Sequence, residues 1–197
     1  MSAPGHHPLP PADLPARKLP ITRYRGGWYR VHRVAHGPLH FGRAARHRFD
    51  APGGAFGVLY VARRPRGAFI ETFGHDTGIR VLDARELAAR ALTRVEPARP
   101  LRLVALTGEG LARLGADSEL LSGSYALSQR WARALHDHPA TPDGIAYRAR
   151  HDPSQVCAAL FERAAPVLTP PPRGAFADAA LAPLLAELLD TYDFGLV

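Results

Sequence analysis

The stretch RFDAPGGAFGVLYVARRPRGAFIETFG, residues 48–74, decides the fold class, because its hydrophobic pattern changes at the centre. The run GVLYVA at 57–62 is apolar and β-branched and follows a Gly-rich loop, which predicts a buried strand. Residues 65–74 begin with Pro, carry apolar side chains at near-helical spacing and end in Gly, which predicts a short helix. Glu71 lies in the middle of that helix. A strand is therefore followed directly by a helix.

The same patterns extend to both sides of this stretch. Residues 28–34 alternate large apolar and basic side chains, which predicts a half-buried strand with its arginines on one face. Further strands are predicted at 79–82, 101–106, 144–150 and 155–161, and helices at 83–92, 107–115, 124–136 and 182–192. Since strands and helices do not alternate regularly, the sequence predicts an α+β fold with mixed sheets and flanking helices.

The length of 197 residues favours one domain with additional segments at its ends. Residues 1–20 contain six prolines and little periodicity, which predicts an extended, poorly ordered arm. The domain is predicted over 21–168. Residues 169–197 are predicted as a linker at Pro170-Pro171-Pro172 followed by a C-terminal helix that packs on the domain.

Composition excludes several classes of protein. With 46% hydrophobic and 22% charged residues, the chain is typical of globular proteins. No apolar run is long enough to cross a membrane, and the N-terminus does not resemble a secretory signal, so we expect a cytoplasmic protein. The single cysteine, Cys157, excludes an internal disulfide and a thiolate zinc cluster, and its apolar surroundings predict a buried thiol.

Positive charge is concentrated in the first third of the chain, where residues 1–70 hold twelve basic and two acidic side chains. Such an excess is compatible with nucleic-acid binding. However, several of these arginines lie among strand residues that are predicted to be buried, and no nucleic-acid fingerprint is present. We therefore keep nucleic-acid binding as an alternative and do not expect it.

Generic catalytic motifs are absent from the sequence, including the P-loop, the Rossmann, the HExxH and the GxSxG patterns. His136-Asp137-His138 is the nearest approach to a metal cluster. Because two histidines at i and i+2 near a helix end diverge, no metal site is predicted.

Four polar residues in the first third form an unusual set: Arg30, Arg48, Tyr60 and Glu71. An acid in a short apolar helix is costly to bury unless it has a partner or a function. Glu71 is thus a candidate functional residue. The alternative is a helix-surface Glu that faces solvent.

Several blocks together resemble the RES domain family, in the family's order and over residues 21–168. They are WYRVHR (28–33), RFDAPGGAFGVLYVA (48–62), AFIETFG (68–74), LRLVALTGEGLARLG (101–115), SYALSQRWARALHDHP (124–139), DGIAYRARHD (143–152) and CAALFERA (157–164).

The resemblance implies a bacterial toxin of a toxin–antitoxin pair, with a fold like that of ADP-ribosyltransferases and with NAD+ as its substrate. The implied reaction is cleavage of the nicotinamide N-glycosidic bond, with water or phosphate as the acceptor. Transfer of ADP-ribose to a protein is the alternative. The implied partner is an antitoxin with an Xre-like helix-turn-helix domain that covers the active site. No cofactor or metal is implied, since NAD+ is the substrate.

Position by position, the resemblance gives catalytic roles to Glu71, Arg30 and Arg48. A carboxylate stabilises the positive charge that develops on the ribose, and Arg30 and Arg48, with Arg150 behind them, suit the two phosphates of NAD+. Tyr60 offers an aromatic face to the cationic nicotinamide ring.

One position departs from the family's pattern. Where the family has Ser in the block Tyr-Arg-Ser-Arg-His, this chain has Ala149. Either the hydroxyl is dispensable, or Ser154 or a water molecule supplies it, or the chain is a catalytically weakened, RES-like binding protein.

Overall fold

The computed structural model describes residues 9–76, 78–169 and 174–197. The strands of this part of the chain are β1 (Ile21–Tyr24), β2 (Trp28–Arg33), β3 (Val58–Ala62), β4 (Val81–Leu82), β5 (Arg90–Pro97), β6 (Leu101–Ala105), β7 (Gly144–Arg148), β8 (Val156–Phe161), β9 (Leu168–Thr169), β10 (Gly174–Ala175) and β11 (Gly195–Leu196). The α-helices are α1 (Pro65–Phe73), α2 (Ala84–Ala88), α3 (Gly110–Leu114), α4 (Glu119–Ser122), α5 (Tyr125–His136) and α6 (Ala182–Tyr192).

Among the described residues, nine strands form one mixed sheet in the order β1-β6-β7-β8-β3-β2-β5-β10, with β9 paired to β5. The pair β6–β7 is parallel and the other pairs of this sheet are antiparallel. The predicted α+β domain with a mixed central sheet and flanking helices is therefore confirmed.

The sheet divides between β2 and β3. These two strands pair only at Tyr29 and Ala62, whereas β2 pairs with β5 at six positions and β3 pairs with β8 at five. Because β2 continues along β5 and β3 continues along β8, β2 and β3 separate after that one pair. This separation leaves a gap in the sheet, and the candidate active site lies there.

Both faces of the central strands are buried. Val58 and Ala62 of β3 pack in a core under the helices, and Leu59 and Val61 pack in a second core on the opposite face. Burial of both faces explains why the predicted strand reads as a continuous apolar run rather than as an alternating one. Trp131 of α5 is part of the core under the helices.

The prediction of a helix over 83–92 is wrong beyond Ala88. Asp83 caps α2 as predicted, since its Oδ1 atom accepts a hydrogen bond from the backbone N of Arg85 at 2.7 Å. Residues 90–97, however, form β5 along the whole of β2. Pairing with a strand some sixty positions away in the sequence overrides the local helical preference of the Ala- and Leu-rich segment.

Other differences from the predictions are smaller. The strand predicted at 79–82 is reduced to β4, which pairs in parallel with β11. The arginines of β2 do not share a face, because Arg30 and Arg33 are three positions apart in a strand. Arg30 lines the candidate site, and Arg33 is exposed and pairs with Glu86 at 3.3 Å. The short strand β1 and helix α4 were not predicted.

The ends of the domain make specific contacts. Leu14 and Leu19 are buried in the core, so residues 9–20 differ from the poorly ordered arm that their composition predicts. At the other end, α6 forms as predicted and packs on α1, where Tyr192 stacks on Phe69 and Glu187 pairs with Arg66. The predicted linker at 170–172 lies outside the described residues.

No helix in the described part of the chain has the length and apolar composition that crossing a membrane requires.

Candidate active site

A cavity of about 390 Å³ lies where β2 and β3 separate. Its walls come from β2, β3, α1, α5 and the segment after β7. The residues that line it are Tyr29, Arg30, Val31, His47, Arg48, Tyr60, Val61, Ala62, Ala68, Glu71, Thr72, His75, Arg90, Leu121, Tyr125, Tyr147, Arg148, Arg150, His151 and Cys157. Glu71 is the one carboxylate in this lining, whereas five of the residues are arginines.

Helix α1 presents one continuous face to the cavity. Ala68, Glu71 and Thr72 all line it at the i, i+3 and i+4 spacing of one helical face, and His75 lines it just beyond the end of the helix. Gly67 lies on the packed side of α1, and a Cβ atom there would lie 3.0 Å from the Cβ atom of Ala62. Close packing of α1 on β3 therefore directs Glu71 into the cavity rather than towards solvent.

Two donors hold the carboxylate of Glu71. Its Oε1 atom accepts a hydrogen bond from the backbone N of Arg150 at 3.0 Å, and its Oε2 atom accepts one from the hydroxyl of Tyr147 at 3.3 Å. Burial raises the pKa of the Glu71 carboxyl above its ordinary value, and these two hydrogen bonds offset that effect only in part. The carboxylate is thus fixed in orientation and poorly solvated, as a group that acts on developing charge requires.

Tyr147 was not among the residues predicted from the sequence. It lies on β7, and burial together with the nearby Glu71 raises the pKa of its hydroxyl well above the ordinary value. A Tyr in an apolar strand is usually a core residue, which is why its pattern carried no functional signal. The block at 143–152 that resembles the family contains it, and this was the signal available.

Arg48 enters the cavity from a tightly closed loop. Asp50 closes that loop, because its Oδ2 atom accepts hydrogen bonds from the backbone N atoms of Arg46 and His47 at 2.9 Å each. The Arg48 guanidinium lies over the ring of Tyr125, 4.8 Å from its centroid. Burial lowers the pKa of Arg48, and the charge of Arg150, which lines the same cavity, lowers it further.

Arg48 also contacts the buried hydroxyl of Ser128, which was not among the residues predicted from the sequence. Nη1 of Arg48 donates to Oγ of Ser128 at 3.2 Å and to the carbonyl O of Gly123 at 2.9 Å. Ser128 is fully buried and donates in turn to the carbonyl O of Leu120 at 2.8 Å. In the sequence, Ser128 is simply a small residue on the buried face of a helix, so nothing distinguished it.

Arg30 reaches the cavity from β2. Its Nη1 atom donates to the carbonyl O of His40 at 3.0 Å, and burial lowers its pKa to about 10. The side chain therefore remains a cation at neutral pH. Among the described residues, no acid forms an ion pair with Arg30, Arg48 or Arg150.

Tyr60 lines the cavity with its ring, but its hydroxyl is engaged elsewhere. The hydroxyl donates to Oδ1 of Asp50 at 3.0 Å and accepts from the backbone N of Phe49 at 2.9 Å. Burial and the Asp50 carboxylate raise the pKa of Tyr60 well above its ordinary value. The hydroxyl thus supports the loop that carries Arg48, and only the ring is free to face a ligand.

Arg150 and Ala149 differ in their surroundings. Arg150 is exposed at the cavity, and its backbone N rather than its side chain holds Glu71. Ala149 is 2% exposed, packs in the core and does not line the cavity. The hydroxyl expected at position 149 is not replaced by Ser154, which bonds to Asp152. The serine hydroxyl that contacts Arg48 is that of buried Ser128.

The histidines at 136 and 138 have structural surroundings. His136 stacks on Phe56 with ring centroids 3.8 Å apart, and buried His138 contacts the carbonyl O of Leu14 at 3.1 Å. Within the described ranges, no group of three or more His, Cys, Asp or Glu side chains is arranged to hold a metal ion. Cys157 is buried as predicted, and burial raises the pKa of its thiol.

Comparison with known proteins identifies the family and supports the fold. The RES domain profile matches residues 27–179, more than half of the chain. The chain belongs to the RES domain family. A chain of the crystal structure of the M. tuberculosis MbcT–MbcA toxin–antitoxin complex is similar in fold, with a TM-score of 0.65. The similarity covers 84% of this chain and 92% of that one at 17% sequence identity, so it bears on the fold alone. A search of curated proteins found no match.

Proposed function

We propose that this RES domain protein cleaves the N-glycosidic bond between nicotinamide and ribose in NAD+, with water or phosphate as the acceptor. The observation that carries the proposal is the charge arrangement of one cavity. A single carboxylate, Glu71, is held by two donors, and it faces a lining in which Arg30 and Arg48 have no acidic partner among the described residues. A substrate with a diphosphate and a reactive glycosidic carbon matches both halves of that arrangement.

The carboxylate acts on the reacting carbon. When the bond breaks, its electron pair leaves with the ring nitrogen, nicotinamide departs as a neutral molecule, and the ribose becomes an oxocarbenium-like cation. Glu71, fixed by Tyr147 and the backbone of Arg150, stabilises that cation. Water then attacks the anomeric carbon and releases a proton, or phosphate attacks and yields the sugar phosphate.

The guanidinium groups hold the substrate. Arg offers a planar, permanently charged fork that binds phosphate oxygens in pairs, so Arg30 and Arg48 are assigned to the diphosphate. Arg150 adds positive charge to the same cavity. The rings of Tyr60 and Tyr125 face the cavity and provide apolar surfaces for the flat nicotinamide and adenine rings. No resident metal or cofactor is needed, because NAD+ itself is the substrate.

We further propose that the protein is the toxin of a toxin–antitoxin pair and that its partner is an antitoxin with an Xre-like helix-turn-helix domain that covers this cavity. The membership in the RES family and the fold shared with a chain of a toxin–antitoxin complex support this pairing. Expression alone is expected to arrest growth of a bacterial host, and coexpression of the antitoxin is expected to restore it. Growth that is unaffected by expression of the folded protein contradicts the toxin role.

Product analysis tests the reaction. Purified protein is incubated with NAD+ in buffers with and without phosphate, and the products are separated by chromatography. We expect free nicotinamide in both buffers, together with ADP-ribose in the buffer without phosphate and its phosphate ester where phosphate is the acceptor. Labelled NAD+ in the presence of a bacterial lysate reveals protein modification. If the label accumulates on protein, the acceptor assignment is wrong and the enzyme is an ADP-ribosyltransferase.

A further inference from the structure

A second concave surface, which we call the second cavity, lies at the opposite end of β7 from the candidate active site. Its volume is about 470 Å³, and it is lined by Arg23, Arg99, Pro100, Arg102, Thr141, Asp143 and Arg163. Asp143 directly precedes β7, whereas Arg148 at the far end of β7 lines the first cavity. At the rise of an extended strand, about 16 Å separates these two positions. The second cavity is therefore separate from the proposed NAD+ site.

Asp143, the one acid in the lining of the second cavity, already has hydrogen-bond partners within the protein. Asp143 is 3% exposed; Nη1 and Nη2 of Arg99 donate to its two oxygens at 2.7 and 2.8 Å, and the backbone N of Arg102 donates at 2.8 Å. Burial alone would raise the pKa of Asp143, but these hydrogen bonds hold it below its ordinary value. Asp143 is therefore ionised, and its ion pair is with Arg99, so one carboxylate faces four arginines in this lining.

Two of those arginines are directly opposed in the sheet. Arg23 of β1 and Arg102 of β6 are partners in the antiparallel register, so their side chains leave the same face side by side. Like charges in this position destabilise a sheet. Arg102 donates to the carbonyl O of Ala140 and Arg163 to that of His136, so both are anchored by neutral groups.

The remaining positive charge is concentrated and has no acidic partner. Within the described ranges, no acid forms an ion pair with Arg23, Arg102 or Arg163. Arg23 is exposed and makes no side-chain hydrogen bond to a described residue. Its guanidinium is thus free to bind an external anion.

The backbone beside these arginines is strained. Thr141 lines the second cavity and has a φ angle of 43°, which is an unusual conformation for a β-branched residue. Strained residues persist where the surrounding structure imposes them, and they concentrate at ligand sites. The strained Thr141 and the pair of like-charged arginines both reduce the stability of the fold. Binding of an anion in the second cavity accounts for the presence of both features.

We propose that the second cavity binds the phosphoryl group of a small phosphorylated anion, with Arg23, Arg102 and Arg163 as its ligands. Three guanidinium groups around one concave surface match the several oxygens of a phosphate or diphosphate. Nucleic acid is less well matched, because the arginines converge on one depression rather than following a stripe. Inorganic phosphate, pyrophosphate and the diphosphate of a free nucleotide share this chemistry.

Titration with inorganic pyrophosphate tests the proposal. Because the first cavity also contains arginines, the titration uses Arg48→Gln protein, in which the first cavity is weakened, so the result does not depend on NAD+ cleavage. We expect calorimetry to detect a pyrophosphate site whose affinity does not depend on Arg48. Adding Arg23→Gln is expected to weaken it by about tenfold or more, since a hydrogen bond to a charged group is lost. The matched control is Arg113→Gln, which removes an exposed arginine paired with Glu109 and leaves the affinity unchanged.

Charge reversal provides a second readout. Arg23→Glu places a carboxylate opposite Arg102, so pyrophosphate binding is expected to disappear while the melting temperature rises. Titrations with phosphate and with ADP then identify the preferred source of the group. The proposal is overturned if pyrophosphate binding survives both substitutions at position 23. It is also overturned if a DNA oligonucleotide, and not pyrophosphate, binds in a way that depends on Arg23.

Discussion

Replacing Tyr60 by Phe removes one oxygen atom and keeps the aromatic ring that lines the first cavity. The lost hydroxyl donates to Asp50 at 3.0 Å and accepts from the backbone N of Phe49 at 2.9 Å. Asp50 is 2% exposed and also binds the backbone N atoms of Arg46 and His47. The substitution therefore weakens the closure of the loop that carries Arg48 and leaves the apolar packing intact.

The expected loss of stability follows from these two contacts. A hydrogen bond to a charged group contributes about 1.5–3 kcal/mol, and a buried N–H without a partner costs about 1–3 kcal/mol. Because the two effects share one loop that can relax, we expect Tyr60→Phe to lower the free energy of unfolding by about 3 kcal/mol in total. For a chain of this size, that corresponds to a melting temperature lower by about 6–12 °C.

Urea and thermal unfolding measure this change. The matched control is Tyr24→Phe, because the Tyr24 hydroxyl makes no side-chain hydrogen bond to a described residue, and we expect it to change the free energy of unfolding by less than about 0.5 kcal/mol. In the NAD+ assay, Tyr60→Phe is expected to raise KM more than it lowers kcat, since Arg48 binds phosphate in the proposal. If Tyr60→Phe is as stable as the Tyr24→Phe control, the assigned role of the hydroxyl is wrong.

Three further predictions concern the surroundings of Glu71. Tyr147→Phe removes a hydrogen bond that lowers the pKa of Glu71, so the acid limb of the rate profile for NAD+ cleavage is expected to move to higher pH; an unchanged limb contradicts this. Tyr192→Phe removes a 2.8 Å hydrogen bond to Asp152 in the loop whose Arg150 backbone holds Glu71, and the expected result is a several-fold lower kcat with a stability loss of about 1 kcal/mol in urea unfolding. Burial raises the pKa of the Cys157 thiol, so iodoacetamide is expected to label the protein in urea and not in its folded state.

Local patterns predicted the elements that present the site. Strand β3 and helix α1 were both recognised, because an apolar run followed by Pro and a terminal Gly has a clear local signature. Glu71 was conspicuous as an acid in an apolar helix, and the structure directs it into the cavity rather than to solvent. Arg30 and Arg48 were noted in the same set of polar residues, and the resemblance to the RES family then gave them their expected roles.

Long-range pairing and buried polar contacts were not predictable in the same way. Strand β5 was missed because its first residues continue an Ala- and Leu-rich pattern, and only its pairing with β2 shows that it is a strand. Tyr147 and Ser128 occupy positions typical of a core, and their roles depend on partners about 76 and 80 positions away. Ala149, where the family's pattern has Ser, is buried in the core, and the serine hydroxyl that contacts Arg48 is that of Ser128.

Glu71 is proposed to act on NAD+, and the rate of NAD+ loss in Glu71→Gln protein is the test of this role. The Gln amide can accept from the backbone of Arg150 and donate to the oxygen of Tyr147, so the cavity keeps its hydrogen bonds and loses only the charge. We expect wild type and the control Glu187→Gln, which alters an exposed ion pair with Arg66, to cleave NAD+ equally. We expect Glu71→Gln to be slower by about 10²–10³-fold. Cleavage by Glu71→Gln at the wild-type rate, or NAD+ left intact by wild type, would contradict the account.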